Sequence, residues 1–309
     1  MDAVIEVRNL TCRYRRHEAV HGISFAVTPG TVFGLLGPNG AGKTTTIRAL
    51  MNILQPSAGD AQVLGVDSRR LGPAELQMIG YVSENQEIPQ WMTVAELMAY
   101  CKPFYPAWDD ALCRKLIADF DLPLNVKIGR MSRGMKVKAA LVSALAYRPR
   151  LLVLDEPFSG LDPVVREDLI HGVLERAGEG QWSVFLSSHD LDEVERLVDD
   201  VAFLDGGRIV LTESLTMLQQ RFRRVEVTTA EAQASLSDDA PPSWIGVTTA
   251  GRVARFVDTA FSEPASIAAI ESRLPGARAE VRPMTLREIF VALARHTRGT
   301  QGRAQEVLS

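Results

Sequence analysis

The chain has 309 residues, 46% of them hydrophobic and 23% charged, a balance that suits a globular protein with room for one large domain and a smaller one. Its net charge of −4 leaves no overall positive field to hold a nucleic-acid backbone, so no nucleic-acid partner is expected. Cys12, Cys101 and Cys113 are odd in number and lack a C-x-x-C spacing, which argues for reduced thiols in a cytoplasmic setting and against a disulfide frame or a zinc site.

Met1-Asp2-Ala3 leads straight into the alternation Val4-Ile5-Glu6-Val7-Arg8, so no signal peptide is expected. Leu151 to Leu154 and Ala139 to Tyr147 fall short of the ~20 apolar residues a membrane-spanning helix needs. A membrane function would therefore require another polypeptide. Residues 4 to 8 and 23 to 27 read as half-buried strands of an antiparallel N-terminal β subdomain. Between them stands Tyr14, open to two readings, stacking on a nucleobase or packing.

The apolar run Val32-Phe33-Gly34-Leu35-Leu36 is followed by Gly37-Pro38-Asn39-Gly40-Ala41-Gly42-Lys43-Thr44-Thr45, and Ile47 to Met51 then reads as helix. Strand, glycine loop and helix in this order complete the pattern G-x-x-x-x-G-K-[ST]. Such a loop turns successive backbone N–H groups towards a polyphosphate at the positive end of the helix. Lys43 is placed to reach the outer phosphates, and Thr44 to offer its hydroxyl to a Mg²⁺ bridging them.

Asp67 to Gly80 is polar and turn-rich, and Ile79-Gly80-Tyr81-Val82 reads as another strand. Thr93-Val94-Ala95-Glu96 is a capping box opening a helix that Pro103 and Pro106 close, and Leu112, Leu116, Ile117 and Phe120 mark a second helix. Roughly 85 to 145 is thus a helical insertion between sheet strands, with Trp91 and Trp108 expected as packing anchors. Met131-Ser132-Arg133-Gly134-Met135 closes it, with Ser132 as N-cap of a helix from Lys136 to Tyr147; capping and a phosphate grip both fit.

Leu151-Leu152-Val153-Leu154 reads as a buried parallel strand and ends in Asp155-Glu156. Carboxylates at such a strand end are costly unless a cation or proton chemistry uses them. Asp155 suits support of Mg²⁺, and Glu156 suits polarising an attacking water. Asp162-Pro163 opens a helix running towards Gly178. Val184-Phe185-Leu186 is a further buried strand ending in Ser187-Ser188-His189, where His189 is either structural or a hydrogen-bond partner of the γ-phosphate or of water. Val201 to Leu204 and Arg208 to Leu211 bracket the hairpin signal Asp205-Gly206-Gly207.

Arg221-Phe222-Arg223-Arg224 is expected as a solvated segment between domains, at a boundary near 220. Beyond it, residues 221 to 296 form a small α/β appendix. Its strands are expected at Val225-Glu226-Val227 and Val253 to Val257, separated by the polar stretch Glu231 to Ser243. Ile267, Ile270 and Leu274 mark one helix, and the capping box Thr285-Leu286-Arg287-Glu288 opens another. The polar tail, 297 to 309, is expected to be mobile.

In this order the pieces resemble the ATP-binding subunit of an ATP-binding cassette (ABC) transporter, over about residues 3 to 220. Tyr14 matches the adenine-stacking aromatic, Gly37 to Thr44 the Walker A loop and Met131 to Met135 the signature motif. Leu151 to Glu156 matches the Walker B strand, Ser159 to Asp162 the D-loop and His189 the switch histidine. The resemblance implies a P-loop ATPase core with a mainly parallel sheet. It also implies two cassettes sandwiching two ATP molecules, with Ser132 and Gly134 acting on the partner chain's nucleotide. Both departures from the pattern are charged substitutions: Arg133, with Met135, inside a signature usually LSGGQ, and Glu84 where a glutamine usually links Mg²⁺ to the permease, with Gln86 as a competing candidate. With the Phe104-Tyr105-Pro106-Ala107-Trp108-Asp109 stretch and the appendix, they point to a bacterial exporter-type branch.

The function implied is a Mg²⁺-dependent ATPase on the cytoplasmic face of a membrane. It dimerises on ATP, with itself or with a relative, and drives an integral membrane permease. The alternative is a soluble regulatory or assembly ATPase; one cassette without a second copy or long heptads disfavours it.

Overall fold

The computed structural model describes residues 3–15, 17–84, 86–177, 182–229 and 240–306, with side chains described up to 170 and again from 182 and, at the other end, to 296. The chain divides into two compact units, Met1–Thr212 and Glu213–Ser309. The boundary falls at Thr212/Glu213, earlier than the expected 220, because Ser214 caps a helix whose residues already belong to the second unit.

The first unit opens with β1 (Ile5–Tyr14) and β2 (His17–Val27), which pair antiparallel and run longer than their apolar alternation suggested. Next come β3 (Val32–Leu36), α1 (Lys43–Leu50), β4 (Ala58–Val63), β5 (Val66–Asp67), α2 (Pro73–Leu76) and β6 (Ile79–Ser83). Strands β2-β1-β4-β5 form one antiparallel sheet. Strand β4 is an addition to the sequence reading: Ala58-Gly59-Asp60 carries little strand propensity, and pairing to Ile5, Val7 and Arg8 of β1 holds it extended.

The helical insertion follows as α3 (Val94–Cys101), α4 (Asp110–Asp119) and α5 (Arg133–Leu145). The capping box is made in both directions, Glu96 N–H to Thr93 Oγ1 at 3.2 Å and Thr93 N–H to Glu96 Oε2 at 2.8 Å. Trp91 is 68% exposed and no packing anchor, because it sits in a turn ahead of the cap; Trp108 is half-buried.

The chain then returns through β7 (Leu151–Asp155), α6 (Pro163–Ala177), β8 (Ser183–Ser188), the short α7 (Leu191–Val194), β9 (Asp200–Asp205) and β10 (Arg208–Ser214). The central sheet has the order β10-β9-β3-β8-β7-β6, with β9-β3-β8-β7-β6 parallel. Residues of β3, β7 and β8 are buried throughout, as continuous apolar runs require when both faces are covered. Phe25, Phe33 and Phe185 stack with centroids 5.5, 5.7 and 5.8 Å apart, joining the two sheets.

The second unit contains α8 (Leu215–Arg221), β11 (Arg223–Thr228), β12 (Trp244–Ala250), β13 (Val253–Asp258), α9 (Glu263–Arg273), β14 (Arg278–Pro283) and α10 (Leu286–Glu306). Its antiparallel sheet has the order β12-β13-β11-β14, and its core gathers Val225, Val227, Trp244, Phe256, Ile270 and Leu274. Strands β12 and β14 are gains over the sequence reading: β14 is held by an unbroken ladder to β11, and β12 by a ladder to β13 that shifts register between Ile245 and Thr248.

One expectation is overturned here, and one helix runs further than expected. Arg221 to Arg224 is no solvated linker: Phe222 is 1% exposed, and Arg221 pairs with Glu213, because the segment ends α8 and enters β11. Helix α10 continues through the expected tail to Glu306, since an established helix propagates across residues such as Arg303, Ala304 and Gln305 more easily than it nucleates. The polar stretch 231 to 243 lies outside the described residues as far as 239, and so do residues 307 to 309.

Candidate active site

Parallel pairing of Leu36 with Ser188 and of Asp155 with Ser187 brings the carboxyl ends of β3, β7 and β8 to one edge of the sheet. Ligands bind at that edge in open α/β sheets. The loop Gly37 to Gly42 leaves β3 there, tied by a hydrogen bond from Gly37 N–H to Ser188 O at 3.2 Å. Gly42 adopts φ 108°, which a side chain would disfavour, and starts α1 with no side-chain cap. The first-turn N–H groups of α1 therefore have no side chain competing with an anion. Pro38, Asn39, Gly40 and Ala41 form the turn, with Asn39 and Gly40 exposed, while Thr44 and Thr45 are half-buried in the first turn of α1.

Lys43 is 4% exposed, and its ammonium donates to Gly37 O at 2.7 Å and Pro38 O at 3.1 Å. It also lies 2.9 Å from Glu156 Oε1. That approach is an ion pair without hydrogen-bond alignment, and Oε1 is left as a buried oxygen that accepts no hydrogen bond. The other oxygen, Oε2, is engaged by His189 Nδ1 at 2.7 Å. Glu156 itself has φ 51°, the left-handed region rarely taken by a non-glycine, and its N–H donates to Ser187 Oγ at 3.0 Å. A strained backbone thus turns the carboxylate away from the line of β7 and into contact with Lys43 and His189.

Asp155 Oδ1 accepts from Ser187 Oγ at 2.7 Å and from Thr44 Oγ1 at 3.0 Å. Burial pushes its carboxyl up, and the two hydroxyls pull it back. Ser187 was missed as a functional residue. It bridges Asp155 and the Glu156 backbone, and the only sequence signal was a serine closing a wholly apolar strand.

Tyr14 ends β1 beside the hairpin to β2, with 40% of its surface exposed. Ser132 caps α5 by accepting from Met135 N–H at 3.2 Å and is itself exposed. Gly134 is buried, and a Cβ there would lie 2.6 Å from Val165 Cγ1, so close approach of α5 and α6 already demands glycine. The two charged departures meet each other: Glu84 Oε1 accepts from Ser159 Oγ at 3.1 Å and from Arg133 Nη2 at 3.4 Å. Glu84 thus joins the Arg133 and Ser159 side chains, whereas Thr44 and Asp155 bond each other. Gln86 Oε1 turns back onto Ser83 N–H at 3.4 Å.

A glycine loop opening a helix, with Lys43 and Thr44 on that helix and an acidic pair ending a parallel strand, defines a P-loop ATPase. Sequence comparison narrows the class. The ABC transporter family profile matches residues 20–159. A fluoroquinolones export ATP-binding protein of Mycobacterium tuberculosis is 36% identical over 230 residues, covering 72% of this chain and 76% of that protein. The bacitracin transport ATP-binding protein BcrA of Bacillus licheniformis is 31% identical over 226 residues, 72% and 74% of the two chains. The solved structure of an ATP-binding subunit of an ABC transporter superposes with a TM-score of 0.64 at 27% identity, covering 70% of this chain and 92% of that one.

The chain belongs to the ATP-binding subunits of ABC transporters, ATPases that dimerise and work with membrane permease partners. Among the described residues no helix is long and apolar enough to cross a membrane.

Proposed function

We propose that this subunit hydrolyses ATP with Mg²⁺, forms an ATP-dependent dimer with itself or a close relative, and powers export through a separate permease on the cytoplasmic face of the membrane. The observation that carries the reading is the contact of the exposed His189 with the buried Lys43–Glu156 pair, beside the Thr44–Asp155 pair. In the proposed reaction an arriving γ-phosphate exchanges with the Gly37 and Pro38 carbonyls as partner of Lys43. The Oε1 atom of Glu156, which accepts no hydrogen bond, takes the proton of the attacking water, while His189 holds Oε2 and fixes the carboxylate's direction.

Thr44 and Asp155 suit Mg²⁺: the hydroxyl and the carboxylate would hold it, and a cation would relieve the cost of burying Asp155. Bound there, the metal would neutralise charge on the β- and γ-phosphates. Glu84 is assigned a contact to that metal through water, in exchange for its bonds to Ser159 and Arg133. Tyr14 is assigned to the adenine, Gly37 to Thr45 to the phosphates, and Ser132 and Gly134 to the partner chain's nucleotide.

Export follows the direction named for the fluoroquinolones relative above. The helical insertion supplies the permease contact through the exposed rings of Trp91, Tyr100 and Phe104, at 68, 55 and 57% exposure. Trp91→Ala should leave the ATPase rate of the isolated subunit unchanged while reducing co-purification of a polytopic membrane protein from detergent extracts. Undiminished co-purification, or absence of any membrane partner with the parent chain, would remove the assignment.

A further inference from the structure

Arg166 of α6 forms an ion pair with Glu193 of α7, the two side chains being 27 and 9% exposed. Withdrawing both charges from water costs much of what their attraction returns, so stability alone does not account for the pair. The same guanidinium donates from Nη2 to Leu161 O at 3.4 Å. Its Nε is buried and donates to no acceptor, so the fork is committed through its two ends.

Both ends of that fork lead to one place. From Leu161 the chain runs back to Glu156 through turns closed by Leu161 N–H to Phe158 O and Ser159 N–H to Glu156 O, each at 3.2 Å. From Glu193 it runs back to His189 through Asp190, which caps α7 by accepting from Asp192 N–H at 3.2 Å and itself donates from N–H to Ser188 Oγ at 3.0 Å. His189 Nδ1 and Glu156 Oε2 close the circuit at 2.7 Å. Glu193 and His189 also share one field: burial and then Asp190 raise the Glu193 carboxyl, while Arg166 and then His189 lower it. Helix α7, Leu191–Val194, is a single turn, too short to keep its direction without tertiary ties. The neighbouring pair Arg196–Glu167, exposed and 3.4 Å apart, adds little to them.

We infer that Arg166 is a positioning residue for ATP hydrolysis: it ties the turn after Glu156 to α7 and so sets the direction from which His189 holds Glu156 Oε2. The inference rests on the reading of Glu156 as proton acceptor and of His189 as the group that orients it. Misplacing a reacting group by ~1 Å lowers a rate by roughly 10²-fold. Arg166 is tied to Leu161 and Glu193, outside the loop that takes the phosphates, so its loss should fall on kcat and spare KM.

The test uses the full chain with isotope-labelled histidines at about pH 8, above the range in which Glu193 takes up its proton. The nucleotide-free NMR spectrum reads the His189–Glu156 contact directly; His189→Gln assigns the signal, and Glu156→Ala marks its position without the contact. Arg166→Leu should move the His189 Nδ1 signal towards that position and lower kcat by at least about tenfold, with KM for ATP within about twofold of the parent. Arg166→Lys, which keeps the charge and loses the fork, should recover part of both changes. If Arg166→Leu does not fold, Glu193→Gln carries the same expectation at smaller size. His21, paired with Glu18 at 2.8 Å on β2, reports general damage, and its signal should stay at the parental position. The inference is overturned if the His189 signal or kcat of the variant matches the parent, if the His21 signal moves as well, or if Arg166→Lys recovers nothing. Parental turnover in Glu156→Gln is a separate outcome: the reaction reading then fails, and the imidazole signal alone decides whether Arg166 places His189.

Discussion

Replacing Glu156 by Gln removes one charge from a pair in which neither side chain is more than 9% exposed. At 2.9 Å and an effective dielectric of about 20, the gross attraction between Lys43 and Glu156 is about 6 kcal/mol. Much of that is offset by the cost of burying both ions. Glutamine keeps the shape, and Lys43 keeps the Gly37 and Pro38 carbonyls, so the net loss should sit near ~2 kcal/mol, below the cost of a bare buried charge. For a unit the size of Met1–Thr212 that lowers Tm by about 4–8 °C without nucleotide. ATP should reverse the sign. The triphosphate supplies Lys43 with a new counter-charge and no longer faces the Glu156 carboxylate, so Glu156→Gln should bind ATP more tightly and gain more Tm on saturation than the parent. Turnover, lacking the proton acceptor, should fall by about 10²-fold or more. Melting with and without ATP, beside a phosphate-release assay, reads all three. Parental turnover would refute the role of Glu156, and an unchanged Tm without nucleotide would refute the energetic value of the ion pair.

The Glu84–Arg133 pair, half-exposed at 3.4 Å, is worth about 1 kcal/mol in water before ordering costs, and a double-mutant cycle of Glu84→Gln with Arg133→Gly should find a coupling near ~0.5 kcal/mol. That coupling should vanish in roughly 1 M salt, and additivity at low salt would show the two substitutions to be independent. Gly134→Ala should cost about 1–3 kcal/mol in chemical denaturation through the contact with Val165, and Val165→Ala in the same chain should restore most of it. Glu193 pairs with Arg166, and burial, followed by the neighbouring Asp190, pushes its carboxyl up to about 7. The folded chain then holds a proton that the unfolded chain has lost between about 4.5 and 7, so this group's contribution to stability falls as pH rises through that window. Denaturation across pH 4 to 8, roughly the window in question, should show a shallower decline for Glu193→Gln, and identical profiles would contradict the assignment.

The glycine loop into α1, the acidic pair after Leu154, the strand-end position of His189 and both capping boxes were legible because each is written in contiguous residues whose spacing carries its geometry. Strands β4, β12 and β14 were not, since their extended form comes from ladders with partners far along the chain rather than from local propensity. Trp91 and Phe222 show the same limit: an aromatic side chain states its hydrophobicity but not which way the backbone will turn it. The sequence by itself determined the chemistry present, a lysine, a threonine, two carboxylates and a histidine in serial order. Only the tertiary structure decided that Lys43 and His189 converge on the two oxygens of Glu156, that Ser187 braces Asp155, and that Glu84 and Arg133 answer each other. Those relations depend on the parallel register of β3, β7 and β8 and on the approach of the insertion to Ser159, distances that no local pattern encodes.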